Sequence, residues 1–312
     1  MKIRIASLLL ALASALFLAD TLVTAAEPIA DIGPTGEIKK LHGDFKFTEG
    51  PAADSRGNIY FTDIPDSLVY RWSTDGKLSV FRKESNRSNG LMFNADGELF
   101  SCEMAGRIVA VAADGQTVRV LADKYDGKPF NAPNDLVLDK SGGVYFTDPH
   151  FGAATPLPQG ERAVYYVADG KVTRLTDDLP APNGVILSPD EKTLYIVPSL
   201  SSEVLSYSVM APGKLGPSRV FASLKQPEGK ENTGGDGLTV DTNGNLYITS
   251  GLGIQVFTPA GKLLGVIAFP EQPANVTFGG PDGKTLFVTA RTSLYSAPMS
   301  AQGHVFTGAT EK

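Results

Sequence analysis

Apolar positions fall in short runs along the chain. These runs are rich in Val, Ile, Leu, Tyr and Phe, and turns rich in Gly, Asp and Asn separate them. Such alternation is typical of closely spaced β-strands and leaves no room for helices of ordinary length. One phrase returns six times: GNIYFTD (57–63), GELFSCE (97–103), GGVYFTD (142–148), KTLYIVP (192–198), GNLYITS (244–250) and KTLFVTA (284–290). We therefore predict an all-β protein built from repeats.

The repeat has the length of a propeller blade. Its phrase contains one aromatic residue in each copy: Tyr60, Phe100, Tyr145, Tyr195, Tyr247 and Phe287. Consecutive aromatics are separated by 40, 45, 50, 52 and 40 residues, the span of a four-stranded blade. A two-sheet sandwich also has many short strands, but it gives no reason for one phrase to return six times. The spacing predicts a six-bladed β-propeller with four-stranded blades.

The closure of the ring can also be predicted. The segment GEIKKLHG (36–43) has strand character but contains no copy of the phrase. An open sheet edge would invite pairing with other chains. We therefore expect this segment to supply the outer strand of the sixth blade, so that the N- and C-terminal segments share one blade.

A polar residue precedes each aromatic by 11 or 12 positions. These residues are Glu49, Asn89, Asn134, Asn183, Asp236 and Asn275. At any one position, a strand start after a turn would explain Asn or Asp. All six, however, open the first strand of a blade, and the innermost strands of a propeller line its axial channel. We therefore predict that six oxygen-bearing side chains converge on the axis.

A ring of this kind requires a cation. Carboxylates and amide oxygens are hard ligands, and their mixture favours Ca²⁺, which accepts irregular coordination, over Mg²⁺, which demands near-ideal octahedra. Another divalent cation remains an alternative. Zinc is disfavoured, because the chain has only 3 His and 1 Cys.

The N-terminus predicts export. Lys2 and Arg4 precede an apolar stretch that ends in small residues, the pattern of a cleaved signal peptide at residues 1–26. A membrane anchor is the alternative, but the stretch is shorter than the roughly 20 residues that a spanning helix needs. We expect a periplasmic or secreted protein whose propeller domain occupies residues 27–312, with no membrane association after cleavage.

Charge and cysteine content narrow the function classes. The chain of 312 residues has a net charge of −6 and no basic stripe, so nucleic acid is not an expected partner. Cys102 is the only cysteine, which excludes an intrachain disulfide. The sequence does not predict an oligomeric state.

Several segments together resemble a known family. They are FTEGP (47–51), SNGL (88–91), APNDLVLDKSGGVYFTDPHFG (132–152), APNGVILSPD (181–190) and GGDGLTVD (234–241). They resemble the senescence marker protein, gluconolactonase and luciferin-regenerating enzyme family of calcium-dependent propeller hydrolases. More distantly, they resemble the diisopropyl fluorophosphatase and paraoxonase propellers.

The resemblance implies roles for individual residues. It implies that Glu49, Asn183 and Asp236 coordinate the catalytic calcium. Asn134 matches a position that is a metal ligand in some relatives and a substrate contact in others. One departure concerns substrate: where the senescence marker branch has an arginine two residues before this asparagine, this chain has Ala132.

The predicted chemistry is hydrolysis of a small lactone, a sugar lactone above all. A cation open to solvent on one side polarises a carbonyl and holds a water molecule beside it. Asp236 is the first candidate for the base and His150, in FTDPHFG, is the second; Asn89 and Asn134 are predicted to contact the substrate. A packed loop histidine is the alternative reading of His150. A phosphotriesterase-like hydrolase and a non-catalytic binding propeller are the alternative functions.

Overall fold

A computed structural model describes residues 28–177 and 179–308. The predicted signal peptide, residues 1–26, lies outside the described residues, as do the ends of the predicted domain 27–312. Within the described part of the chain, no helix is long and apolar enough to cross a membrane.

The described residues form 26 strands. The first, β1, is Lys39–His42. Blade 1 contains β2 (Thr48–Ala53), β3 (Ile59–Asp63), β4 (Leu68–Trp72) and β5 (Leu78–Arg82), and blade 2 contains β6 (Ser88–Phe93), β7 (Leu99–Glu103), β8 (Arg107–Val111) and β9 (Val118–Ala122). A small hairpin follows, β10 (Lys124–Tyr125) and β11 (Lys128–Pro129). Blade 3 contains β12 (Leu136–Leu138), β13 (Val144–Asp148), β14 (Ala163–Ala168) and β15 (Lys171–Thr176).

The second half of the chain continues the same order. Blade 4 contains β16 (Pro182–Leu187), β17 (Thr193–Pro198), β18 (Glu203–Ala211) and β19 (Lys214–Ser223). Blade 5 contains β20 (Leu238–Val240), β21 (Leu246–Ser250), β22 (Gly253–Phe257) and β23 (Leu263–Ile267). Blade 6 contains β24 (Pro273–Gly279), β25 (Thr285–Ala290) and β26 (Ser293–Pro298), and β1 completes it in the order β1-β26-β25-β24. The six four-stranded sheets confirm the predicted propeller.

The recurring phrase is the second strand of every blade. Its apolar residues are buried because both faces of the strand contact neighbouring blades. In blades 1 and 5 its aromatic residue packs across the blade boundary: the ring centroids of Tyr60 and Phe93 lie 4.8 Å apart, and those of Tyr247 and Phe278 lie 5.0 Å apart. The phrase therefore recurs because each blade needs a second strand that is buried on both faces.

Aspartates shape the hairpins between the first and second strands. In blades 1, 3 and 5, one carboxylate oxygen of an aspartate accepts hydrogen bonds from the backbone N–H groups two and four residues further along the chain. These aspartates are Asp54, Asp139 and Asp241. Aspartate favours such turns because its side chain satisfies the local backbone. The turns set the register in which each phrase pairs with the strand nearest the axis.

The ring closes as predicted. Strand β1 pairs antiparallel with β26, with Lys39 opposite Ser296. Glu271, in the connection between blades 5 and 6, reinforces this seam. Its carboxylate accepts hydrogen bonds from Lys40 Nζ (3.1 Å), Ser293 Oγ (2.5 Å) and Tyr295 OH (2.9 Å). The seam joins the two ends of the ring through both backbone and side chains.

After β26 the chain crosses one face of the ring. We call residues 299–308 the C-terminal strap. His304 N donates to Val240 O in blade 5 (3.0 Å), and Ala95 N in blade 2 donates to Thr307 O (2.6 Å). The strap therefore spans the end of the axial channel and connects blades on opposite sides of it.

Candidate functional site

The candidate site lies where the inner strands begin, a side of the ring that we call the upper face. Five of the six polar residues predicted to line the axis expose only a few per cent of their surface to solvent: Glu49, Asn89, Asn134, Asn183 and Asn275. The sixth, Asp236, is half-buried. Burial of so many polar groups requires partners, because an unpaired buried polar group is costly.

Glycine allows the inner strands of neighbouring blades to touch. Gly90 N donates to Asn134 O (2.8 Å), and Gly184 N donates to Asp236 O (3.1 Å). A Cβ atom at Gly184 would stand 2.4 Å from Asp236 O, a separation that side chains do not reach. A glycine that follows the polar residue, present in four of the six blades, therefore lets one blade contact the backbone of the next.

A second set of contacts comes from threonines in the phrase. Thr147 Oγ1 donates to Asn183 O (2.7 Å) and Thr62 Oγ1 to Asn89 O (3.3 Å), in each case reaching the next blade. Sequence reasoning missed these residues. The available signal was Thr two positions after the aromatic in four of the six phrases.

The two acids of the ring influence each other. Burial raises the pKa of Glu49 well above its ordinary value, and the negative charge of Asp236 raises it further. Burial also raises the pKa of Asp236 to about 7, although a hydrogen bond from the Asn183 side chain opposes this rise. A buried carboxyl group whose pKa is raised further by a second acid lies in an environment that a cation would stabilise.

Asn275 and Asp135 lie on the channel side of these acids. Asn275 Oδ1 accepts the Val276 N–H (2.8 Å), and its amide group donates to both Glu49 and Asp135, lowering both pKa values. Burial nevertheless raises the pKa of Asp135 to about 7. Sequence reasoning missed Asp135, although it stands where four other blades have glycine after the polar residue.

Below this point the channel widens. A cavity of about 510 Å³ is lined by Asp135 and Asn275 at its upper end, by apolar residues of the inner strands, and by the C-terminal strap. The other predicted polar residues do not line it. The buried acids therefore separate a lower cavity, covered by the strap, from the upper face.

The remaining asparagines have different surroundings. Asn183 Nδ2 donates to Ser199 Oγ (2.9 Å), and Asn89 Nδ2 points towards Met104 Sδ (3.9 Å). Asn134 is held through its backbone, because its N–H donates to Thr147 O (2.8 Å). These contacts bring Asn183 beside Asp236 and turn Asn89 towards an apolar neighbour.

The donor set suits a hard cation that accepts neutral ligands. Within 28–177 and 179–308, no three His, Cys, Asp or Glu side chains group closely enough to hold a metal by themselves. A metal here would need amide oxygens beside the carboxylates of Glu49 and Asp236. This mixture fits calcium better than zinc.

His150 lies at the upper face, directly after β13. Its ring packs against Phe151 with centroids 4.7 Å apart. Burial lowers its pKa, and the positive charge of Arg162 lowers it further, so the imidazole is neutral at pH 7. Its Nδ1 atom is buried and has no hydrogen-bond partner among the described residues. Because Nδ1 is closed off from solvent, a water molecule or a substrate would have to reach this neutral imidazole through Nε2.

Apolar residues form one wall of the upper face. Ala132 is fully buried in a cluster with Ile64 and Met104, and Phe47 and Phe151 cover this cluster. The Asp148 carboxylate fixes the segment because it accepts the Ala132 N–H (2.7 Å) and the neighbouring Asn131 N–H (2.8 Å). Two residues before Asn134, this chain therefore has a buried apolar side chain.

Comparisons with known proteins agree with this architecture. A family model described as SMP-30/Gluconolactonase/LRE-like region matches residues 47–292. A gluconolactonase from Zymomonas mobilis is 32% identical over 280 residues, covering 81% of this chain and 78% of that protein. The structure of a gluconolactonase from Xanthomonas campestris is 32% identical, with a TM-score of 0.77 over 87% of this chain and 91% of that one.

A more distant structure shares the fold. Regucalcin from Agrobacterium tumefaciens, described as a calcium-binding protein, has a TM-score of 0.76 at 21% identity, and the match covers 93% of this chain and 100% of that one. At this identity the likeness shows the fold alone.

Proposed function

Because the chain belongs to the SMP-30/gluconolactonase/LRE-like family, we propose that it is a calcium-dependent lactonase that opens small lactones, sugar lactones above all. Gluconolactonase and lactonase relatives support lactone hydrolysis. The observation that carries the calcium part of the proposal is the pair of acids Glu49 and Asp236, close enough for the charge of Asp236 to raise the pKa of Glu49, with the amide groups of Asn275 and Asn183 beside them.

Calcium would be held by Glu49, Asn183 and Asp236, with Asn134 as a further ligand or as a contact to the substrate. When bound, calcium polarises the lactone carbonyl and lowers the pKa of a nearby water molecule. The mixture of carboxylate and amide groups supports this choice of ion.

The side chains of this protein supply the proton transfers. Asp236 accepts the proton of the attacking water, and neutral His150 is the second group able to do so. The water oxygen joins the carbonyl carbon, the bond from that carbon to the ring oxygen breaks, and the ring oxygen leaves as an alcohol after taking a proton. Asn89 and Asn134 hold the substrate, and the product is a hydroxy acid.

The test combines metal analysis with a panel of five- and six-membered lactones, read by acid release with and without a chelator. We expect bound calcium and chelator-sensitive hydrolysis that calcium restores. Cleavage of a phosphotriester in place of lactones would replace this proposal with the phosphotriesterase alternative. No reaction with either class would leave a binding propeller.

His150→Gln separates the two candidate bases. If His150 takes the proton, the substitution should lower kcat by about 10²–10⁴-fold with little change in calcium content. If Asp236 acts alone, kcat should be nearly unchanged. Circular dichroism confirms that the variant is folded.

A further inference from the structure

Three arginines stand on the upper face without acidic partners. They are Arg87, Arg162 and Arg291. Elsewhere, Arg82 and Arg107 are both paired with Glu103. In the described part of the chain, none of the three upper-face arginines forms an ion pair with a carboxylate. A guanidinium that lacks an acidic partner near a site is available for an anionic ligand.

Arg87 is held in place by a strained loop. Asn86 and Arg87 both adopt left-handed backbone conformations, with φ of 53° and 58°. Such residues cost stability and persist only where surrounding contacts enforce them. Here Arg87 N donates to Ser67 Oγ (3.2 Å), and Met104 N donates to Arg87 O (3.1 Å). The fold therefore fixes an exposed arginine directly before Ser88 and Asn89.

The guanidinium of Arg87 extends to the loop of the next blade. Its Nη1 atom donates to Gly152 O at 3.4 Å, two residues after His150. A Cβ atom at Gly152 would stand 2.5 Å from Arg87 Nη2, so glycine leaves room for the side chain. This one long hydrogen bond leaves the other N–H groups of Arg87 available to a ligand.

The other two arginines approach the same site. Arg162 directly precedes β14, the strand that follows the His150 loop, and its charge lowers the pKa of His150. Arg291 lies over the Phe47 ring, 5.9 Å from its centroid, and its carbonyl accepts the Thr48 N–H (2.8 Å) next to Glu49. Positive charge thus stands beside both candidate bases.

We propose that Arg87, supported by Arg162 and Arg291, binds an anionic group of the substrate, so that the preferred lactone carries a carboxylate or a phosphate in addition to its ring ester. This inference rests on the proposed lactonase function and specifies its substrate class. The planar guanidinium matches both anions because it can donate two parallel hydrogen bonds.

The experiment compares three lactones at constant ionic strength with the calcium-loaded protein. D-glucono-1,5-lactone is neutral, D-glucaro-1,4-lactone carries a carboxylate, and 6-phospho-D-glucono-1,5-lactone carries a phosphate. We expect kcat/KM to be about 10- to 100-fold higher for at least one anionic lactone, the range of charge-assisted hydrogen bonds. The faster of the two identifies the anion.

Substitutions assign the preference to Arg87. Arg87→Ala should bring the ratio of anionic to neutral kcat/KM close to one, and Arg87→Lys should retain only part of it because lysine lacks the two-pronged geometry. Arg219→Ala removes an exposed arginine on the outer strand β19 and should leave the ratio unchanged. An equal loss in Arg219→Ala would assign the effect to net charge and overturn the role of Arg87.

A binding measurement keeps the inference separate from the proposed function. Titration calorimetry with glucarate and gluconate should show tighter binding of glucarate to the wild type, with the difference lost in Arg87→Ala. If neutral lactones react as fast as anionic ones, the anion site is wrong and the lactonase stands. If no lactone reacts, the lactonase is wrong, and equal binding of glucarate and gluconate then overturns the anion site as well.

Discussion

The centre of the ring and its closing seam use carboxylates in opposite ways. At the seam, Glu271 accepts hydrogen bonds from Lys40, Ser293 and Tyr295. Burial opposes the ionised form, but these bonds outweigh it and lower the pKa of Glu271 to about 2. At the centre, burial raises the pKa of Asp236 to about 7 and also raises that of Glu49.

The difference separates acids that stabilise the fold from acids arranged for a ligand. The surroundings of Glu271 are complete without any added group, so its contribution is structural. The pKa values of Glu49 and Asp236 stay raised even though the positive charge of Arg291 lowers that of Asp236, so the fold carries a cost there that a bound cation would offset. Experiments that change one region at a time test this distinction.

The largest expected effect is on activity at the centre. Asp236→Asn keeps the size of the side chain and removes its charge, so lactone hydrolysis should fall by about 10²–10⁴-fold. Acid release under saturating calcium measures this loss. Asp75→Asn, an exposed site, is the matched control, and equal losses in both variants would contradict a role for Asp236 in the site.

A second substitution tests the close contact between the inner strands of two neighbouring blades. In Gly90→Ala, the new Cβ would stand 2.5 Å from Asp135 Oδ1 and 2.8 Å from Asn134 O. Because the crowded atoms include backbone, we expect unfolding free energy to fall by about 1–3 kcal/mol, the usual range for overpacking. Denaturant titration measures this loss.

Gly216→Ala is the control for that substitution. Gly216 lies in β19, and a Cβ there would meet nothing nearer than Ser208 Cβ at 3.6 Å. The change should leave stability within about 0.5 kcal/mol of the wild type. A similar loss of stability in both variants would show that the inner-strand contacts contribute no more to stability than those of an outer strand.

A third change opens the seam. Glu271→Ala leaves the hydrogen-bond donors of a partly exposed carboxylate without their acceptor. We expect the unfolding free energy to fall by about 2 kcal/mol, after allowance for solvent screening. Glu271 accepts the Thr292 N–H, one residue after Arg291, and activity per folded molecule should nevertheless be retained if the seam acts only on stability. Loss of activity without loss of stability would contradict the separation of the two regions.

The pH dependence of that effect has a definite sign. The folded pKa of Glu271, about 2, lies below its ordinary value of 4.5. Its stabilisation is therefore fully present above pH 4.5 and disappears as the pH falls towards 2. In protein treated with a chelator, the difference in unfolding free energy between the wild type and Glu271→Ala should shrink over that interval.

The smallest expected effect is on the stability of the protein when Asp236, at the centre of the ring, is changed. With chelator at pH 8, Asp236→Asn should stabilise the fold by about 1–2 kcal/mol because it removes a buried carboxylate. The gain should shrink as the pH falls below 7 and disappear only below the ordinary pKa of 3.8, because between these values the folded state must take up a proton that the unfolded chain does not hold. Calcium at 100 times its Kd stabilises a protein that binds it by about 2.7 kcal/mol. In the presence of calcium the wild type should therefore become more stable than Asp236→Asn.

Local repetition made the fold predictable. The aromatic residues from Tyr60 to Phe287 recur because every blade repeats one packing environment, and the offset to residues such as Asn183 follows from the length of a hairpin. The family, the six blades and the closing strand are confirmed. The roles of Glu49, Asn183, Asp236 and His150 stay predictions.

Contacts between distant segments could not be predicted in this way. Glu271 and Lys40 are 231 positions apart, and their pairing leaves no local pattern. Asp135 was not predicted, because its surroundings depend on Asn275 in another blade. The orientation of Arg87 depends on strained backbone angles, which residue types alone do not specify.

The closing strand also governs the order in which the protein can be completed. Strand β1 is among the first segments made, and β26, with which it pairs, among the last. During synthesis β1 has no native partner until nearly the whole chain has emerged, so ring closure is a late, long-range event and a slow one by the usual dependence of folding rate on contact distance. Until then both edges of the unfinished sixth blade stay open to other strands.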